Sequence, residues 1–219
     1  MKKYFDVLRK CALFNNIGDD DLTVLLGCLG ARIEFFDKKY TIFSEGNPAK
    51  YIGIMLSGSA QIIRNDYFGN RSIVSGIEPA EIFGEAFACA GLDSIPVTIT
   101  ANQPCEVMLI NCNRILNTCD NNCGFHRLLI FNLMKSLATK NIMFHQKIEI
   151  VARRSTREKL MAYLMLYAKR AGSNRFDIPF DRQELADYLE VDRSGLSAEI
   201  SKLCKEGVIE SRRKHFVLL

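Results

Sequence analysis

The spacing of apolar positions changes character several times along this chain. Leu22, Leu25, Leu26 and Leu29 recur at helical spacing, with Asp19, Asp20 or Asp21 placed to cap the start. From Ile33 to about Ile110 short β-rich runs replace that period: Arg32–Phe36, Thr41–Ser44, Tyr51–Ser57, Ser59–Arg64, Ser72–Ile77, Val97–Ala101 and Glu106–Ile110. Turn signals separate them, among them Glu45–Pro48, Gly58, Asn65–Asn70, Gly76–Pro79 and Asn102–Pro104. So many short strands interrupted so often predict a β-sandwich or β-roll. The segment opened by Phe83-Gly84-Glu85 is too rich in Ala and Gly for a strand and reads as a short helix with a loop.

Beyond residue 123 the period becomes 3.5. Ile130, Leu137, Phe144 and Val151 follow Cys123 at intervals of seven, and Met134, Asn141 and Ile148 form a second row at sevens. These are the two seams of a heptad pattern. An amphipathic helix packed on its own domain is the alternative. Asn141 decides between them, because a buried Asn among apolar neighbours lacks a partner. The same Asn facing its own copy is satisfied and fixes a parallel register. Residues 121–151 are therefore expected to form a coiled-coil dimerisation helix.

A basic break at Ala152–Ser155 precedes another amphipathic helix, with Leu160, Tyr163, Leu164 and Tyr167 on one face and Gly172 as its stop. Phe176–Pro179 is a short strand at most. Asp181 and Glu184 then have the spacing of a capping box. They open a helix Arg182–Leu189 whose inward residues are Leu185, Ala186 and Leu189. After a turn at Glu190–Asp192, capped by Asp192, comes a second helix with Leu196, Ile200 and Leu203 inward. Two short helices joined by a three-residue turn make a helix-turn-helix. Such a helix would present Arg193, Ser194, Ser197 and Ala198 outward near its N-terminus, the end that enters the major groove of DNA. Arg193 has the donors for guanine O6 and N7. Lys202 and Lys205 lie further along, within reach of phosphates at best, and Arg182 joins the candidate contacts. Gly207 and Val208–Leu219 read as a β-hairpin with a three-residue tip, Arg212-Arg213-Lys214, a basic wing suited to phosphates.

Charge changes the picture only through its placement. The net charge is +4. Residues 152–219 hold fourteen Lys or Arg against ten Asp or Glu, so the whole excess lies in the last third. A basic module joined to a neutral one suits nucleic-acid binding. At 219 residues the chain accommodates two modest domains, and the division expected is 1–120, 121–151 and 152–219. No membrane-length apolar stretch and no signal peptide are read, so a cytoplasmic location is expected. The eight cysteines include no Cys-x-x-Cys pair, and the nearest two are Cys119 and Cys123. Most read as small buried hydrophobes. Three scattered histidines without a His-x-His pattern argue against a metalloenzyme, and no catalytic or metal site is assigned.

The order of parts, and the runs FSEGNP, LSG, FGE, RQELADYL, VDRSGLSAEISKL and KEGVIE, resemble the cyclic-AMP receptor protein and fumarate–nitrate reduction regulator (Crp/Fnr) family from about Leu13 to Leu219. The resemblance implies an α+β chain: an N-terminal β-roll like cyclic-nucleotide-binding domains, a long dimerisation helix and a C-terminal winged helix-turn-helix. It implies a homodimeric transcription regulator on a palindromic operator, with RNA polymerase as a further partner. In nucleotide-binding members the Gly-Glu pair is followed by an Arg that clamps the cyclic phosphate. Gly84 and Glu85 match, but Ile95-Pro96 stands where that Arg belongs, and no Lys or Arg occurs from Glu85 to Asn102. A phosphate buried without its cation costs about 3–5 kcal/mol, so cyclic AMP is not expected to bind. The candidate effector pocket (Phe83, Gly84, Glu85, Ile95, Pro96 and Val97 with Leu128, Phe131 and Leu133) suits an uncharged or apolar effector, or a packed core with none. Ala198 stands where many members carry Arg, so the operator is expected to differ. The cysteine cluster of iron–sulfur members and the sensor-domain His of haem members are not reproduced, and no cofactor is expected. A thiol-responsive regulator acting through Cys119 and Cys123 stays open as an alternative.

Overall fold

The computed structural model describes residues 2–65, 67–69, 71–117 and 124–219. Contacts divide the chain into two compact units, Met1–Arg64 with Val74–Asn141, and Ile142–Leu219 with Asn65–Ile73.

The first unit begins with two helices, α1 (Phe5–Leu8) and α2 (Asp19–Cys28). The cap of α2 is Gly18 and no side chain bonds there. The three aspartates occupy the first helical turn instead, where the positive end of the helix dipole favours them. Strands β1 (Arg32–Phe36), β2 (Thr41–Phe43), β3 (Tyr51–Ser57), β4 (Ala60–Asn65), β5 (Arg71–Ile77) and β6 (Ile82–Phe83) follow. Then come α3 (Glu85–Cys89), β7 (Thr98–Ala101), β8 (Cys105–Asn111), α4 (Cys112–Leu116) and the long helix α5 (Gly124–Val151), whose residues from Ile142 on belong to the second unit. The strands form two four-stranded sheets, ordered β1-β8-β3-β6 and β2-β7-β4-β5. This is the expected β-roll.

The first sheet is covered on both faces. Ile52, Ile54, Leu56, Met108 and Ile110 pack with α1, α2 and the α5 residues Leu129 and Leu133. Met55, Val107 and Leu109, from the same strands, join the core shared with Ile62, Ile99 and Phe83. Burial on both sides explains why β3 and β8 are near-continuous apolar runs rather than alternating ones. Strand β7 borders one core only, and its burial alternates. Gly53 is required by contact: a Cβ there would lie 2.2 Å from the Phe83 ring. Helix α5 is also tied down by buried polar groups. Asn132 donates to the carbonyls of Leu13 and Asn15 at 3.1 and 2.9 Å, and His126 Nε2 lies 2.8 Å from the Ile115 carbonyl.

The second unit contains α6 (Thr156–Ala171), β9 (Arg175–Asp177), α7 (Arg182–Leu189), α8 (Arg193–Lys205), β10 (Ile209–Arg212) and β11 (His215–Leu218). The sheet order is β10-β11-β9. Local chemistry sets the boundaries. Ser155 with Glu158, and Asp181 with Glu184, form complete capping boxes. Gly172 ends α6 in the left-handed conformation, φ 61°. Leu160, Tyr163, Leu164, Leu185, Ala186, Leu189, Leu196, Ile200 and Leu203 are all buried, as their spacing requires. Tyr163, Tyr167, Phe180 and Tyr188 stack within this core, with ring centroids 4.7–6.4 Å apart.

Candidate functional site

The turn between α7 and α8 aims the second helix. Glu190 adopts a left-handed conformation, φ 54°, and the Asp192 carboxylate accepts from the Gly195 N–H at 2.7 Å and from the Ser194 hydroxyl. These bonds hold its carboxyl below the ordinary range, the Ser194 hydroxyl contributing most. Arg193, Ser194, Ala198, Ser201, Lys202 and Lys205 are exposed, and Ser197 is half-buried. The expected outward face is therefore outward. Ser194 is also part of the cap, and Ser201, which sequence reasoning passed over, extends the row one turn further. Its position seven residues after Ser194 was the available signal.

On another side of α8, Arg157 of α6 bonds Glu206 at 2.6 Å and Glu199 at 3.5 Å, one guanidinium offsetting part of the charge of two carboxylates. Lys159 donates to the carbonyls of Leu189 and Glu190 at the end of α7, both at 3.3 Å.

Two of the expected wing and helix contacts have structural partners. Arg182 is half-buried, donates to Ser211 at 3.2 Å and lies over the Phe216 ring, tying α7 to the wing; burial pushes its pKa down. Lys214 donates to the Pro179 carbonyl. The hairpin tip is tighter than the expected three residues. Arg212 pairs with His215 across the ladder, leaving Arg213 and Lys214 as the turn, with Arg213 at φ 56°. Both Arg212 and Arg213 are exposed.

In the first unit, Gly84 holds φ 76° before α3 and contacts Phe43, so a Cβ there would lie 2.6 Å from that ring. Glu85 is 2% exposed. Its Oε1 is 2.7 Å from Lys140 Nζ, which also donates to the Ile82 carbonyl at 2.5 Å. Lys140 was not among the expected residues. It lies seven positions after Leu133 and so shares the inward face of α5, a spacing that identifies it in retrospect. The carboxylate that would hold a ribose hydroxyl is thus already paired with a cation from the helix.

The expected effector pocket is only partly assembled. Phe83, Ile95 and Val97 belong to one packed core. Leu128 is half-buried and Pro96 exposed. Phe131 is 57% exposed and points away, since position 131 falls on the face of α5 opposite Leu129 and Leu133. A cleft of about 290 Å³ does exist in this unit, lined by Arg32, Glu34, Ile42, Phe43, Ser44, Asn47, Pro48, Lys50, Tyr51, Ile95 and Leu109. It shares only Ile95 with the expected set.

The expected heptad rows differ in exposure along α5. Met134, Asn141 and Ile148 are exposed as expected, but Leu137 packs against the core and Ile130 and Val151 are half-buried. Phe144 is 38% exposed. The exposed row interleaved with Met134, Asn141 and Ile148 is Phe131, Ala138 and His145. The core takes Leu129, Leu133 and Leu137, which turns the row of Ile130, Leu137 and Val151 partly inward. Cys119 and Cys123 lie outside the described residues. No helix among the described residues is long and apolar enough to cross a membrane.

A β-roll, a long helix and a winged helix-turn-helix with an exposed, capped reading helix define a DNA-binding transcription regulator. The chain belongs to the Crp/Fnr family: residues 33–122 match the cyclic nucleotide-binding domain and residues 158–219 the Crp-like helix-turn-helix domain. It is similar to the transcriptional activator protein FnrL of Cereibacter sphaeroides, 23% identical over 198 residues, or 82% of this chain and 73% of the relative. Similar solved structures include FixK2 from Bradyrhizobium japonicum, with TM-score 0.67, 20% identity and coverage of 86% and 92% of the two chains. Another is the c-di-GMP responsive global regulator CLP of Xanthomonas campestris, with TM-score 0.73, 18% identity and coverage of 90% and 97%.

Proposed function

We propose that the protein acts as a homodimer on a two-fold-symmetric operator, and that its sensor unit does not use a cyclic nucleotide. The exposed N-terminal face of α8 carries the reading: Arg193 projects from a capped helix start, and Arg212 and Arg213 stand at the wing. Arg193 supplies base discrimination and Arg212, Arg213 and Lys202 supply phosphate contacts. Arg182 and Lys214, engaged within the fold, shape the surface rather than read DNA.

The dimer seam we infer is Phe131, Met134, Ala138, Asn141, His145 and Ile148, with Ile130, Phe144 and Val151 flanking it. Apolar side chains at a 3-4 spacing along an exposed helix face support this. Asn141 then meets its own copy. Helix α5 runs 28 residues, about 42 Å, and the divisions 1–120, 121–151 and 152–219 describe sensor, connector and reader. The seam would set the two α8 helices about 34 Å apart, one turn of DNA.

A cyclic nucleotide fits the sensor poorly. Glu85 is neutralised by Lys140, and the segment from Glu85 to Asn102 supplies no cation for a phosphate. An apolar effector, or none, agrees better with the packing of Phe83, Ile95 and Val97.

Selection of the reduced protein on random duplexes at two salt concentrations tests this reading. Enrichment of a two-fold-symmetric site with half-sites one turn apart is expected without added effector. Salt-sensitive binding without enrichment would mean that an effector must set the spacing. Absence of binding at both salts would overturn the reading.

A further inference from the structure

We propose that Cys89 and Cys112 form a hydroperoxide-responsive dithiol that closes to an intramolecular disulfide, giving the sensor unit a redox input. Their Sγ atoms lie 3.6 Å apart although the residues are 23 positions apart in sequence. Cys89 ends α3 and is half-buried, and Cys112 begins α4 and is 2% exposed. Of the other described cysteines, Cys11 and Cys105 are buried in apolar cores, where burial raises their pKa. Cys28 and Cys204 are exposed.

The two thiols are unequal. Either thiol can donate across the 3.6 Å contact; with Cys112 as donor the pKa of Cys89 is lowered, while the same bond and burial raise that of Cys112. The reachable sulfur is therefore the one with more thiolate, and the sheltered one is placed to resolve it. The Cys89 thiolate attacks a peroxide oxygen. An S–O bond forms, the O–O bond breaks, and the departing alkoxide or hydroxide takes a proton. Cys89 is left as a sulfenic acid, oxidised by two electrons. Cys112 then loses its proton and attacks the Cys89 sulfur, forming the S–S bond and expelling hydroxide, which leaves as water. In sum, two thiols and one hydroperoxide give a disulfide, an alcohol or water, and a water.

The output lies one turn away. Cys89 and Glu85 are four residues apart on the same short helix, so their side chains lie on one face. Glu85 carries the bond to Lys140 of α5. Drawing the end of α3 toward α4 changes the seating of Glu85, and with it the hold on the long helix.

This proposal depends on the DNA-binding reading only for its final output, and the experiment keeps the two apart. The full-length reduced protein is titrated with hydrogen peroxide, alkylated and digested without reduction, and its disulfides are mapped by mass spectrometry. A Cys89–Cys112 cross-link is expected first, reversed by dithiothreitol and absent in Cys89→Ser and Cys89→Ala. Hydrogen exchange across residues 85–89 and 137–144 is expected to change on oxidation of the wild type and not of either variant. On the selected operator, affinity should shift about tenfold between the two states. Oxidation of both sulfurs to sulfinic acid without a cross-link, or preferential pairing with other cysteines, overturns the dithiol. A cross-link with unchanged exchange, or with unchanged operator affinity, overturns the input. Loss of DNA binding in both states removes the regulator reading, and mapping and exchange then judge the dithiol alone.

Discussion

The reader and the sensor hold their functional groups in place by different means. In the reader, the bonds that start the helices span two or three residues: Ser155 to Glu158, Asp181 to Glu184, Asp192 to Ser194 and Gly195. In the sensor they span the unit: Glu85 to Lys140, Cys89 to Cys112, Asn132 to Leu13. Short-range bonds fix the helix starts of the reading surface locally. Long-range bonds make the sensor's chemistry conditional on its tertiary packing, which is what a responsive element requires.

Substitutions can break or sharpen that contrast. The largest effect is expected from Lys140→Met, which leaves Glu85 buried without its cation; one broken buried pair costs about 3 kcal/mol at the lower end of the usual range. Chemical denaturation followed in the sensor should register the loss, and Glu85→Gln added to Lys140→Met should restore most of it. If the single variant is as stable as the wild type, the pair is a surface contact and the contrast fails. Next comes Arg193→Ala, expected to lower discrimination between operator and scrambled duplex by about 1–3 kcal/mol with little change in stability. Competition titrations at fixed salt would measure it.

Smaller again is Arg213→Gly. It relieves a left-handed residue, stabilising the reader by about 1 kcal/mol, while reducing the salt dependence of DNA binding by roughly one phosphate contact. The melting temperature and the affinity should therefore move in opposite directions. The smallest effect is expected at Asp192, whose carboxyl is held low by its cap bonds. A lowered folded-state pKa contributes stability above the unfolded carboxyl range that is lost as pH falls through the folded value. Asp192→Ala should lower the melting temperature of the reader near neutral pH and flatten its fall in acid, as thermal scans between neutral and acid pH would show.

The same contrast explains what could be read in advance. The reader was legible almost residue by residue, because capping boxes, the Gly172 stop and the Leu196, Ile200, Leu203 spacing are all local. Its misread part was the hairpin tip, where ladder register claims Arg212; the partners of Arg182 and Lys214 lie in other elements, beyond the reach of local spacing. In the sensor the β-roll itself was legible from its short strands, but β6 is only two residues long and gives no pattern. The pairing of Glu85 with Lys140 was invisible to spacing within either segment, although the face of Lys140 could have been deduced. Spacing within α5 could not show that Leu137 faces the core, because apolar residues fill both 130/137/144 and much of the neighbouring face, and only the packing of the first unit decides which row turns inward.

Lys140 and Asn141 are consecutive residues on one helix, one turned toward the sensor and the other outward. A helix of this kind behaves as a rigid axle, and about 100° of azimuth separates neighbouring side chains. The two positions therefore cannot be tuned separately: any torque that re-seats Lys140 turns Asn141 by the same angle. Mutational drift at the sensor end of the axle is constrained by whatever the outward tooth engages. Covariation between residue 85 or 140 and residue 141 would then be a mechanical necessity rather than a sign of direct contact.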